Sequence, residues 1–316
     1  MPHLKGWGLW VGSLISLFLV FALALRIGAV ADLEWGAILS LRLPRALMAL
    51  AVGLGLAVAG ATLQAVFSNP LCEPYTLGIS SGAALGAVAG AMLGLPLDRL
   101  GTVGAALAGA LAFALVLQMV SWVPGATTLS LLLAGVMLGL VGSSLVTLCM
   151  AVGNANGLQG AIFWLMGDLS RARLGMAMWV GAGTLVCSIL IWRQRRALDA
   201  LLLGEEDALS VGVDVPRARA WLLLLTSVLV AICVSGAGMI GFVGLVVPHF
   251  ARKLVGSLHG RLLPLTALWG AIVLILADAI GRAAASPFEL PVGVVTALTG
   301  APLFAWILLR RGRDSA

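Results

Sequence analysis

Ten stretches of this chain are apolar for long enough to constrain everything else: residues 7–26, 46–67, 77–94, 100–121, 129–152, 175–192, 220–239, a short one at 241–251, 263–281 and 293–309. A helix that crosses the hydrocarbon of a bilayer needs about 20 such residues. Its backbone hydrogen bonds must close within the helix, because lipid offers no partners. A central Arg or Asp costs roughly 2.5–3.5 kcal/mol on insertion scales, so threadings that leave charges at span ends win. The chain is therefore predicted to be an all-α membrane protein of about ten transmembrane helices in a single transmembrane domain, residues 1–316. Composition agrees, with 61% hydrophobic and 10% charged residues where a soluble domain carries about 25% charged.

An even number of spans puts both termini on one side. With cytoplasmic termini, Lys5, Arg193, Arg195, Arg196, Arg217, Arg219, Arg252, Lys253, Arg261, Arg310, Arg311 and Arg313 lie inside. Arg26, Arg42, Arg45, Arg99, Arg171, Arg173 and Arg282 then lie outside. The excess inside satisfies the positive-inside rule. The net charge of +6 is spread along loops, so it reads as an orientation signal, with membrane lipid and not nucleic acid as the partner. Trp7, Trp35, Trp122, Trp192 and Trp221 fall near span ends, as an interfacial belt requires. Lys5, the first apolar run and Ala29-Val30-Ala31 together resemble a signal peptide. The run is long for that purpose and Arg26 interrupts the approach to the cleavage site, so the first span is read as retained.

Several chemistries are excluded or weakened by the residues. No G-x-x-x-x-G-K-[ST] occurs and the lysines are Lys5 and Lys253 alone, so the chain cannot build a P-loop and any ATP-driven work requires another chain. Cys72, Cys149, Cys187 and Cys233 form no CxxC or Cys/His cluster; they read as packing residues, with neither a disulfide framework nor a metal site. Gly78-Ile79-Ser80-Ser81-Gly82 matches G-x-S-x-G, which would make Ser80 the nucleophile of an intramembrane hydrolase, but the strand that precedes such an elbow is missing. A helix start explains it better. Gly78, Gly82, Gly86, Gly90 and Gly94 instead form a ridge predicted to pack closely on a neighbouring helix. The scarcity of intramembrane ionisable groups argues against a proton relay. Asp278 and Arg282, at i, i+4, read as a helix-surface ion pair.

Two polar features remain. The segment 198–219 is a charged interruption between spans six and seven, placed in the cytoplasm by the topology. Gly204 precedes Glu205, Glu206 and Asp207, which suit the first turn of a short helix, and Gly212 follows as a stop. The segment is either a plain connector or a surface offered to a partner. Arg42 and Arg45 flank Pro44 on the outer side, where basic residues are disfavoured, and Arg282 is predicted on the same face. They are read either as snorkelling arginines or as an external basic patch for carboxylates of a soluble partner.

The runs RLPR at 42–45, GATLQAVFSNPLCEPYTLGISSGAALGA at 60–87, SGAGMIGFVGLVVPHFAR at 235–252 and ELPVGVVTALTGAP at 289–302 together resemble the FecCD-type permeases, the membrane subunits of type II ABC importers for ferric siderophores, haem and cobalamin. The resemblance runs from about residue 40 to the C-terminus. It implies a multi-pass permease of the bacterial inner membrane, paired with a second copy of itself, two cytoplasmic ATPase subunits and a periplasmic substrate-binding protein. ATP and Mg²⁺ then belong to the ATPase, and this chain carries no catalytic residue and no cofactor. Carried over by position, Gly204, Glu205, Glu206, Asp207, Ala208, Leu209, Val211 and Gly212 form the ATPase-coupling helix. Arg42, Arg45 and Arg282 meet the binding protein, and Asn69, Leu71, Thr128 and Leu129 narrow the cytoplasmic exit. Cys72 stands where many relatives carry alanine, and Leu129 replaces a polar residue of some relatives. A ferric siderophore is the expected cargo, as the commonest in the family. The rivals are a secondary transporter acting alone and the hydrolase built on Ser80.

Overall fold

The computed structural model describes residues 2–27, 36, 38–95, 100–123, 125–152, 162–284 and 288–314; Ala29-Val30-Ala31, Trp35 and Arg99 lie outside them. The regular structure is all helical, with no strand among the described residues. The long elements are α1 (Pro2–Arg26), α2 (Leu43–Val66), α3 (Ile79–Met92), α4 (Leu100–Ser121), α5 (Thr128–Val152) and α6 (Leu174–Arg193). Two short helices follow, α7 (Arg195–Leu201) and α8 (Glu205–Ser210). The chain then continues through α9 (Val215–Ala237), α10 (Val243–Val255), α11 (His259–Ala283) and α12 (Val292–Asp314).

Each of the ten expected spans contains a helix. Among the described residues, seven helices are long and apolar enough to cross a membrane: α1, α2 extended back to Ile38, α4, α5, α6, α9 and α11. By contrast α3 has 14 residues and α10 has 13, about 20 Å of rise each, short of a bilayer core of about 30 Å. Each is preceded by irregular chain held inside the protein. Glu73, in the segment before α3, accepts a 3.3 Å hydrogen bond from the backbone N–H of Phe242, the residue before α10. Non-helical backbone at such depth is stable only when protein replaces water as its partner.

Helix α2 is the axis of the bundle, packing on α6, α9, α10 and α11. Small residues bring these backbones together. A Cβ at Gly60 would fall 1.9 Å from Gly244 O, and one at Gly53 would fall 2.3 Å from Gly270 O. The glycine ridge divides into two jobs. Gly82, Gly86 and Gly90 seat α3 on α4 against Gly109 and Ala105, whereas Gly78 (φ +72°) turns the chain into α3 and Gly94 (φ +77°) ends it. Cys72, Cys187 and Cys233 are buried with free thiols.

Two ends of the bundle follow from α11, whose 25 residues span about 37 Å. At its start, the His259 backbone N–H and Nδ1 lie 2.8 and 2.7 Å from Asp199 Oδ1 on α7. At its other end, Arg282 meets the last turn of α1. The first half of α1 packs at the α7 end, where Leu9 and Trp10 cover Ala251, Leu262 and Leu265.

Candidate functional site

The charged residues gather at these two ends. At the first, α8 forms where the acids suit a helix start: Glu205, Glu206 and Asp207 occupy its first turn. Its end is closed by Gly212 (φ +83°), with Gly212 N–H donating to Leu209 O and Val213 N–H to Ala208 O, 3.0 Å each. Ala208 faces inward, while Glu206, Asp207, Leu209, Ser210 and Val211 face out. Asp214 then caps α9 by accepting from Arg217 N–H at 3.2 Å.

Glu205 anchors this helix. Its Oε1 accepts from Arg219 Nη2 on the second turn of α9 and, at 3.2 Å, from Thr128 Oγ1 at the start of α5. Hydrogen bonding and charge from Arg219, with help from Thr128, hold the Glu205 carboxyl below the usual carboxylate range against a smaller opposing effect of burial. Thr128 itself is held by reciprocal capping just before it, Thr127 N–H donating to Ser130 Oγ at 2.8 Å and Ser130 N–H to Thr127 Oγ1 at 3.2 Å. A residue assigned to the exit and a residue assigned to coupling are thus directly bonded.

The other residues expected at the exit are not part of that contact. Asn69 Oδ1 accepts from Leu71 N–H at 2.9 Å, forming a tight turn after α2. The side chains of Leu71 and Leu129 are exposed. No hydrogen bond joins Asn69 or Leu71 to Thr128 or Leu129 among the described residues. Gln64 fixes the base of the turn: its Nε2 donates to Cys72 O and Gly244 O, and its Oε1 accepts from Arg252 at 2.6 Å.

At the opposite end the structure corrects the expectation of an open basic patch. Arg42, Arg45 and Arg282 are brought together, but all three are buried. Asp278, 1% exposed, takes Arg45 Nε on one oxygen at 2.7 Å and Arg282 Nε on the other at 3.0 Å. The i, i+4 pair read as a surface contact is therefore the floor of a buried triad. Arg42 donates to Arg26 O at 2.7 Å and Leu25 O at 3.1 Å, and Arg282 to Ala24 O and Ile27 O, so both tie down the carbonyls at the end of α1. The outward side of Arg45 is covered by Glu289, whose Oε2 lies 2.6 Å from Nη1 and whose side chain is 37% exposed.

Ser80 is buried in the first turn of α3, and among the described residues its hydroxyl has no hydrogen-bond partner and so no base in bonding contact to activate it. Sequence reasoning missed α7 and the Asp199–His259 bond that fastens it to α11. The apolar spacing Leu198, Leu201, Leu202 behind Arg195 and Arg196 was a usable signal for an amphipathic turn. It also missed Asp278 as the shared partner of Arg45, for which no local pattern exists.

The FecCD transport family matches residues 7–310 of the chain. The vitamin B12 import system permease protein BtuC of Vibrio cholerae is 41% identical over 310 residues, covering 94% of this chain and 92% of that protein. The hemin transport system permease protein HmuU of Yersinia pestis is 38% identical over 284 residues, covering 89% and 85%. A solved structure of an ABC transporter assigned to the metal-chelate type, in an inward-facing conformation, superposes with a TM-score of 0.88 at 32% identity, over 98% of this chain and 100% of that one.

Proposed function

This chain belongs to the FecCD transport family, and from that membership we propose that it is the membrane-spanning permease subunit of an ATP-driven importer of metal chelates. It works as a pair of identical chains in the bacterial inner membrane, with two cytoplasmic ATPase subunits and a periplasmic binding protein. ATP and Mg²⁺ act on the ATPase, and the permease performs no covalent chemistry. The helices α1 to α6 and α9 to α12 are its ten spans, with α8 and both termini in the cytoplasm.

The observation that carries this reading is the placement of an exposed acidic helix, α8, at the end of the bundle opposite the Arg42–Arg45–Arg282 cluster. α8 seats in a groove of the ATPase. When ATP closes the nucleotide-binding dimer, α8 moves with it, and Glu205 passes the movement to α9 through Arg219 and to α5 through Thr128. Helices packed this tightly exchange between discrete arrangements and do not deform smoothly. Asn69, Leu71, Thr128 and Leu129 form the cytoplasmic gate of the path between the two copies. The binding protein docks at the arginine end, where its carboxylates take the place of Glu289 on Arg45.

The cargo is a metal chelate, and relatives named for vitamin B12 and hemin favour a corrin or porphyrin over the ferric siderophore expected from family frequency. The test is uptake into proteoliposomes holding the chain, its ATPase and its binding protein, with cyanocobalamin, haemin and a ferric siderophore compared. ATP-dependent uptake of one chelate is expected, and replacing Glu205, Glu206 and Asp207 together should abolish it without loss of folded protein. Uptake by the purified chain alone, driven by an ion gradient, would overturn the reading in favour of a secondary transporter.

A further inference from the structure

Beside α8 the bundle has a recess of about 460 Å³ lined by Gln64, Ser68, Pro70, Leu202, His249, Arg252, Lys253 and Ser257. Arg252, Lys253 and His249 stand on the last turns of α10, and Leu202 belongs to the turn that joins α7 to α8. The charges in its wall are of one sign, since no acidic side chain is among the residues that line it. Arg252 is held in place by Gln64 at 2.6 Å, and Lys253, exposed, lies over the ring of Phe250. The basic wall is therefore built in advance, and it borders the turn that leads into α8.

We propose that this recess receives an acidic side chain of the same ATPase subunit that seats on α8, as a second and oppositely charged contact. The proposal rests on the importer reading above. Any subunit covering α8 meets the Leu202 turn and hence the rim of the recess. The two patches differ in sign: Glu206 and Asp207 of α8 are exposed acids, whereas the recess offers Arg252 and Lys253. A partner surface with a basic groove and an acidic knob satisfies both, and seating it the wrong way round sets like charges against each other. Paired patches of opposite sign give register and orientation more than raw affinity. The recess thereby fixes which way round the ATPase sits on a short helix that by itself offers one turn of acids.

The test is co-purification of the ATPase with the tagged chain, in nanodiscs, using Lys253→Glu and, because it leaves Arg252 and Lys253 intact, Ser257→Glu, which supplies the recess with its own carboxylate. Each is expected to weaken ATPase retention about tenfold at low salt and less at high salt. Retention equal to that of the unaltered chain with both variants overturns the proposal, as does a loss seen only in nanodiscs of anionic lipid, which assigns the recess to a lipid phosphate. Failure of the importer reading looks different: the unaltered chain then retains no ATPase, and Glu206→Lys with Asp207→Lys changes nothing.

Discussion

Thr128 Oγ1 donates a 3.2 Å hydrogen bond to Glu205 Oε1, the same oxygen that accepts from Arg219. One carboxylate thus joins the N-terminal ends of α5, α8 and α9. Because Glu205 is more than half exposed, this contact adds little to stability, on the order of 1 kcal/mol or less. On the proposed importer function its consequence is mechanical. Thr128→Val is expected to leave ATP hydrolysis near normal while lowering chelate uptake per ATP several-fold in proteoliposomes. An unchanged ratio would show that α5 does not follow α8 through this bond.

The Glu205 contact also has a pH dependence with a defined sign. Its carboxyl titrates below the usual range because Arg219 donates to it. The stabilisation is therefore present above the ordinary carboxylate value of about 4.3 and is lost as pH falls through the lower folded value. The protection of α8 amides against hydrogen exchange, taken relative to the intrinsic rate at each pH, should hold at neutral and mildly acidic pH and decline once pH drops below the ordinary carboxylate value of about 4.3, and Glu205→Gln should abolish that step.

Removing the floor of the arginine cluster is predicted to be severe. Asp278→Asn leaves two buried guanidinium groups without their shared charge, a change worth about 3–5 kcal/mol. The melting temperature in detergent should fall steeply. Arg171→Gln, which breaks a 3.4 Å pair with Asp168 whose arginine is 35% exposed, is the comparison and should change it little.

Close backbone contact makes Gly60 intolerant of a methyl group. Gly60→Ala would drive a Cβ to within 1.9 Å of Gly244 O, forcing α2 and α10 apart. Loss of folded protein by size-exclusion is expected. Gly104→Ala, in the apolar α4 with nothing within 4 Å of a new Cβ, should behave like the unaltered chain.

Glu289 occupies on Arg45 the position proposed for a carboxylate of the binding protein. Glu289→Gln removes that competing charge while Asp278 keeps the arginine folded in place. The variant should bind the binding protein several-fold more tightly at low salt, and the gain should shrink as salt screens it. Weaker binding, measured by surface plasmon resonance, would mean that Glu289 itself makes the contact.

The apolar helices and the short acidic helix were legible in the sequence because crossing lipid is a rule of local length and composition, and because glycines at 204 and 212 bracket α8 within nine positions. The same local rules put Arg42, Arg45 and Arg282 at one end. They could not say that these arginines are buried. That was decided by Asp278, 233 positions from Arg45 along the chain, which reaches it only once α11 packs along α2. Likewise Thr128 and Glu205 carry no shared pattern across the 77 positions between them, so only the assembled bundle makes them one site. Sequence alone determined which segments leave water, since each segment's transfer free energy is its own. Tertiary structure decided which charges those segments carry inside as partners, since a buried charge is stable only beside a specific neighbour.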